Sequence, residues 1–238
     1  MTEKITEVNK LCEKIEDLKK KTRIIEGNTY TTSEIAKRAM DKNLSKWNYR
    51  NSVLIILDAV LAINRNYLTF VKPRILRFKK NFGEIDTINK MIDLIKSKGI
   101  NKFSEIIQYN DPTRIKLLLT VYKQFKSYME KKGFDDDLEA MKNWAENFKL
   151  NRAKDDIILS IKGIGLSTVQ YLRMLLGVDT MMPDRHIKAW IKESLKIDRI
   201  GKMTYIPLLE EVSKQSNVSC KMICELIWAL KKPKNTRP

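Results

Sequence analysis

Ile157-Ile158-Leu159-Ser160-Ile161-Lys162-Gly163-Ile164-Gly165-Leu166-Ser167-Thr168, followed one helix later by Pro183-Asp184-Arg185-His186-Ile187, is the stretch on which the reading of this chain turns. Two glycines flank one apolar residue. The pattern predicts a short helix before them and a helix over Leu166–Leu176 after them. Glycines at 163 and 165 let the backbone turn sharply and let a partner approach with no Cβ in the way. The helix that follows aims its first N–H groups and the positive end of its dipole at the same place, which suits a phosphate. A tight helix–helix connector with no ligand fits the two glycines as well. Further on, Pro183-Asp184 predicts another helix start, with Asp184 as its N-cap.

Working outward, the 238 residues hold only 8 Gly and 6 Pro, about half the usual share of the two. So few breakers point to an all-α chain and away from a turn-rich sandwich or barrel. Residues 4–25 place Ile5, Val8, Leu11, Cys12, Ile15 and Leu18 on one helical stripe, ended by Gly27-Asn28. Thr31-Thr32-Ser33-Glu34 reads as a capped start of a second helix. From Asn51 the run Val53-Leu54-Ile55-Ile56-Leu57, continued by Ala59-Val60-Leu61, is apolar on nearly all sides and predicts a buried central helix. Further helices are predicted at about 68–81, 86–98, 102–108, 112–131 and 135–148, separated by Phe82-Gly83, Lys98-Gly99, Asn110-Asp111-Pro112 and Lys132-Gly133. No strand is expected, and residues 234–238 read as a loose basic tail.

Charge narrows the partner. Lys and Arg number 46 against 29 Asp and Glu, a net +17, with dense spots at Lys19-Lys20-Lys21, Lys72–Lys80 and Lys231–Lys234. Such an excess points to an anionic partner, nucleic acid being the largest class, although a Lys-rich proteome also runs basic. The longest apolar stretch, Val53–Ile63, is too short for a bilayer and carries Asp58 in its middle. The polar opening Met1-Thr2-Glu3-Lys4 lacks the apolar core of a secretory signal, and three cysteines make no disulfide framework. A cytoplasmic protein without a membrane segment is the expectation.

Ile161-x-Gly163-Ile164-Gly165-x-x-Thr168, one helix, then Pro183-Asp184-x-His186, resembles the helix-hairpin-helix DNA glycosylases, the superfamily of endonuclease III and 3-methyladenine DNA glycosylase II. The close match spans about 35 residues, and a looser one covers Ser52–Phe82. The resemblance implies a two-lobed all-α fold with double-stranded DNA across the cleft between the lobes. One lobe is residues 52–178 and the other residues 1–51 with 179–238. It also implies that Gly163, Ile164, Gly165, Ser167 and Thr168 grip the DNA backbone, that the target nucleotide is flipped out, and that Asp184 acts at the sugar. A monomer is the family-like default.

Chemistry supports the last assignment, because breaking an N-glycosidic bond builds positive charge on the sugar and a carboxylate stabilises it. A plain N-cap is the other reading of Asp184. Tyr171, one turn beyond Ser167, resembles an aromatic that lines the base pocket in the alkylpurine branch, or is a core tyrosine. Asn64 matches the position that enters the duplex in endonuclease III-like members, with Arg65 beside it, and a solvated loop at the helix end is the other reading of the pair. Tyr67, Trp47 and Tyr49 are further aromatic candidates, and Asp58 is a second carboxylate, paired in the core or facing the cleft.

Departures from the family are specific. Bifunctional members carry a lysine two positions after the second hairpin glycine, where this chain has Ser167, so no Schiff base forms there. Lys162 and Lys188 lie nearby in sequence but do not match that lysine. Many relatives hold a [4Fe–4S] cluster through four cysteines, whereas this chain has Cys12, Cys220 and Cys224. With His186 as the only histidine a zinc site is not expected either; a monovalent cation at the hairpin is the sole ion considered. The expected function is therefore a monofunctional DNA glycosylase, in repair or in defence against foreign DNA. The alternative is a non-catalytic DNA-binding protein that keeps the hairpin.

Overall fold

The computed structural model describes residues 2–46 and 51–231. In chain order the helices are α1 (Thr2–Lys20), α2 (Thr32–Lys46), α3 (Ser52–Leu61), α4 (Lys72–Asn81), α5 (Ile88–Ile106), α6 (Pro112–Lys132), α7 (Asp137–Asn147), α8 (Leu166–Leu175), α9 (Arg185–Leu195), α10 (Lys202–Ser216) and α11 (Cys220–Lys231). Two short strands, β1 (Thr22–Ile25) and β2 (Asn28–Thr31), a π turn at Tyr67–Val71 and a 3-10 turn at Leu150–Asp155 complete the described elements. The chain divides into two compact units, Tyr49–Val178, and Met1–Asn48 together with Asp179–Pro238. Among the described residues no helix is long and apolar enough to cross a membrane.

In the unit built from both ends of the chain, α1 buries Val8, Leu11, Ile15 and Leu18 at three- and four-residue spacing. Ile5, expected on that stripe, is 56% exposed. The helix stops at Lys20, short of the predicted end, and residues 22–31 fold back as an antiparallel hairpin with Arg23 opposite Tyr30 and Ile25 opposite Asn28. Glu26 and Gly27 both take positive φ, 51° and 81°, the geometry of the tight turn whose twist matches the strands it joins. Arg23 ties the hairpin to α11 by donating to the Ala229 carbonyl at 2.6 Å. A reciprocal cap starts α2: Thr31 N–H donates to Glu34 Oε2 at 2.7 Å, and Glu34 N–H donates to Thr31 Oγ1 at 3.1 Å. Helix α11 packs on α2 and α9, and α1 packs on α9 and α10.

The continuous unit is built around α3, all ten of whose residues are buried. Asn51 caps it by accepting the Leu54 N–H at 3.0 Å. Helices α4, α5, α6, α7 and α8 all touch α3, so a large-to-small change at Ile56 costs about 2–5 kcal/mol. The fully buried Tyr122 of α6 donates its hydroxyl to the Val53 carbonyl at 2.7 Å, and burial pushes its phenol well above the ordinary value. Helix α5 is bent where the sequence breaks it, at Gly99, with φ 75° and ψ 160°. A π turn at Tyr67–Val71 replaces the first turn of the helix predicted from residue 68.

Candidate DNA-backbone hairpin and base-excision residues

The hairpin is built from Asp156 upward. Its Oδ1 accepts the N–H groups of Ile158 and Leu159 at 3.0 and 2.8 Å, and its Oδ2 accepts the indole N–H of Trp144 at 2.8 Å. The expected short helix before the glycines is a succession of turns instead, closed by Ser160 N–H on the Asp156 carbonyl and Ile164 N–H on the Ile161 carbonyl. Asp156 thus caps the segment as an N-cap would, and the left-handed Gly163 ends it before a regular helix can build. Gly163 takes φ 99°, and a Cβ there would meet Leu117 Cδ2 at 3.3 Å. Gly165 is different: its φ of −109° and ψ of 167° suit any residue, and a Cβ would meet nothing within 4 Å. Nothing inside the protein asks for glycine at 165.

Ile164 is buried at 7% exposure and belongs to the core, so its contribution to a partner is its backbone. Gly165 opens α8, whose first turn has no side-chain cap, and its carbonyl accepts the N–H groups of Thr168 and Val169. Ser167 and Thr168 are half-buried in that turn. The result is a helix N-terminus with an accessible backbone at its tip, a feature that binds phosphate.

Asp184 caps α9. Its Oδ1 accepts the N–H groups of His186 and Ile187, both at 2.8 Å. Its Oδ2 accepts the indole N–H of Trp228, from α11, at 2.6 Å. Burial and then the Asp184 charge push the Tyr205 phenol up to about 12. Cys224, fully buried one turn before Trp228, has its thiol pushed up chiefly by burial. His186 accepts a long contact from Arg185 Nε at 3.3 Å.

A third group gathers on α3. Asp58 is completely buried, and it accepts the Tyr171 hydroxyl at 2.9 Å and the Tyr67 hydroxyl at 3.4 Å. Both tyrosines are half-buried. The carboxylate thus joins two of the four aromatic candidates the sequence could not connect, being paired as the core reading has it and presenting two rings at once. Trp47 and Tyr49 lie outside the described residues, as does the tail at 234–238.

Asn64 and Arg65 sit on the exposed loop after α3, and Asn64 takes a left-handed φ of 57°. Sequence reasoning missed what lies beside them. Gln108, also left-handed at φ 53°, and Tyr109 come from the loop after α5. Arg65 donates to the Tyr109 hydroxyl at 3.2 Å, and that hydroxyl donates to Asp111 at 3.1 Å. Arg74 lies 3.6 Å from the centre of the Phe70 ring and donates to the Gln108 carbonyl at 2.7 Å. Burial, then Arg77, pulls its guanidinium below the ordinary value. The sequence signal was the polar break before Pro112, which announces a helix start but not a neighbour 44 residues away.

Lys162 and Lys188 are exposed. Cys220 and Cys224 are buried in α11 at 2% and 0% exposure, and burial pushes the Cys220 thiol up to about 12. Among the described residues no group of three His, Cys, Asp or Glu side chains is placed to hold a metal ion. The sequence has three cysteines, one short of the four thiolates that hold an iron–sulfur cluster.

Solved structures show what this arrangement resembles. An 8-oxoguanine DNA glycosylase from Methanocaldococcus jannaschii matches with a TM-score of 0.53 and 17% identity, over 93% of this chain and 94% of that one. The 8-oxoguanine glycosylase/lyase of that organism, in complex with a 15mer DNA containing 8-oxoguanine, matches at 0.50 and 18%, over 93% and 96%. The chain therefore has the all-α fold of these glycosylases. It belongs to the family described as a domain of unknown function, DUF8548, whose model matches residues 30–232. No curated protein matches it.

Proposed function

We propose that this chain is a monofunctional DNA glycosylase that flips a damaged or modified base out of double-stranded DNA and excises it by hydrolysis. The observation that carries the reading is Asp184, a helix-capping carboxylate with both oxygens held, one helix after a glycine hairpin on a glycosylase fold. As the base departs, positive charge grows on the sugar. A carboxylate held in place beforehand stabilises that charge without reorganising. It also accepts a proton from, or aligns, the attacking water.

The hairpin holds the strand. The α8 N-terminus supplies N–H groups and a positive dipole end to a phosphate, and the open space at Gly165 admits the sugar–phosphate chain. Asn64 fills the space the flipped base leaves and offers both donor and acceptor to the orphaned partner. Arg65, leaning on Tyr109, flanks it. Tyr171 and Tyr67 supply ring faces to the flipped base, oriented by Asp58. Ser167 stands where lyase members carry lysine, so the product is an abasic site in an intact strand. The solved relatives are named for 8-oxoguanine, which makes it the first base to test; alkylated and deaminated bases come next. The net +17 makes binding steeply salt-dependent. No prosthetic group is called for, and a monomer acts alone in the cytoplasm.

The test incubates wild type and Asp184→Asn with duplexes carrying a panel of modified bases and identifies free bases by mass spectrometry. Release by wild type alone supports the reading and names the substrate. Equal release by both variants removes Asp184 from the mechanism. Salt-dependent binding with no release across the panel favours a binding protein.

A further inference from the structure

A helix cap needs one carboxylate oxygen, and Asp184 has both engaged. Oδ1 alone takes the two N–H groups of the α9 start. The second oxygen accepts the indole of Trp228 at 2.6 Å, from a helix 44 residues further along the chain. We propose that Trp228 is a positioning residue for Asp184: its indole N–H fixes the plane of the carboxylate and thereby sets how well it stabilises positive charge on a sugar. This inference rests on the reading of Asp184 given above.

Three observations carry it. An indole N–H only donates, so Trp228 cannot exchange roles with its partner. Next, the donor, itself half-buried, sits on a helix packed against α2 and α9. Cys220, Cys224 and Trp228 recur every four residues on one face of α11, and the first two are buried at 2% and 0% exposure. The third is geometric. Both donors on Oδ1 come from the first turn of α9 itself, whereas the donor on Oδ2 comes from a separate helix, so the carboxylate is held at both oxygens and from two directions. The charged acceptor makes the bond one of the stronger kind. Oδ2 keeps a second lone pair for substrate or water.

The test needs no knowledge of the excised base. The probes are two duplexes, one with a pyrrolidine abasic-site analogue, cationic as the sugar is when the base leaves, and one with neutral tetrahydrofuran at the same position. Four proteins are compared: wild type, Asp184→Asn, Trp228→Phe, and a chain in which Trp228 is replaced by benzothienylalanine. That last residue keeps the bicycle and removes only the N–H, so it tests the bond even where the phenylalanine variant folds poorly. Wild type should prefer pyrrolidine, and Asp184→Asn should lose the preference. The two Trp228 variants should lose about tenfold of it, with tetrahydrofuran affinity unchanged. If the benzothienylalanine protein keeps the full preference while Asp184→Asn loses it, Trp228 is not a positioning residue. A parallel fall in tetrahydrofuran affinity marks a structural role and equally overturns the proposal. If wild type shows no preference, or Asp184→Asn retains it, the reading of Asp184 falls and this inference with it.

Discussion

Replacing each hairpin glycine by alanine separates folding from recognition. At Gly163 the backbone φ is 99°, where a Cβ costs about 1–2 kcal/mol. The added methyl also meets Leu117 Cδ2 at 3.3 Å. That contact is with the end of a flexible side chain, which yields by a few tenths of an ångström, so the strain is mostly in the backbone. Gly163→Ala should therefore lose about 1–2 kcal/mol, or roughly 2–8 °C of melting temperature for a chain of this size. Gly165→Ala has the opposite signature. Its φ of −109° is open to alanine and the new Cβ meets nothing. The folded state bears no strain while the unfolded chain loses freedom, giving a gain of about 0.4–1 kcal/mol. Yet the methyl occupies the space assigned to the sugar–phosphate chain, so duplex affinity should fall about tenfold or more at fixed salt. Thermal melts and fluorescence anisotropy with a labelled duplex measure both. If Gly165→Ala binds as wild type does, the hairpin is a connector and the phosphate assignment is wrong. If Gly163→Ala melts as wild type does, the strain argument fails.

Asp58→Ala should destabilise by about 2 kcal/mol or more, because the hydroxyls of Tyr171 and Tyr67 lose their buried acceptor; Asp58→Asn, which still accepts, should lose less, as urea unfolding will show. Borohydride should trap no covalent adduct between wild type and abasic DNA, whereas Ser167→Lys, which supplies an amine two positions after Gly165, should yield one on a denaturing gel. An exposed thiol reagent at pH 8 should leave Cys220 and Cys224 unmodified in the folded protein and label both in urea. The same burial predicts alkaline lability. The Cys220 thiol rises from its ordinary 9.0 to about 12, and the Tyr205 phenol from 10.0 to about 12. Their contribution to stability is complete below pH 9 and is lost as pH climbs toward 12, so the urea midpoint should fall between pH 8 and 10.5. A midpoint independent of pH over that range would contradict it.

Much of this protein was legible without coordinates, and for local reasons. The apolar density of Val53–Leu61 declares a helix buried on every side, and α3 is one. Asp111-Pro112, Lys132-Gly133 and Lys98-Gly99 mark helix ends and a bend because capping and left-handed φ are properties of the residue itself. Asp184 as an N-cap follows from the same local chemistry. The misses are of two kinds. Residues 22–31 read as the end of a helix and a stop; they form a hairpin because Glu26 accepts a positive φ and Arg23 finds a carbonyl on α11, a partner more than two hundred positions away. The segment before Gly163 stays a set of turns although Asp156 caps its first N–H groups, because Gly163 takes a left-handed φ of 99° and ends it within a few residues.

The pairings belong to the tertiary structure alone. Periodicity places Asp58 on a buried face but carries no information on what reaches it there, and two tyrosines, 9 and 113 residues away, do. Gln108 and Tyr109 join the Asn64 loop only because the ends of α3 and α5 lie side by side. Trp228 reads as one more apolar residue on the last helix until its indole meets the carboxylate. A sequence determines which residues favour a helix, a cap or the interior, since these are properties of a residue and its near neighbours. It does not display which buried polar group satisfies which, because that pairing is chosen by packing between segments distant along the chain, and it is there that Asp184 and Asp58 acquire their partners.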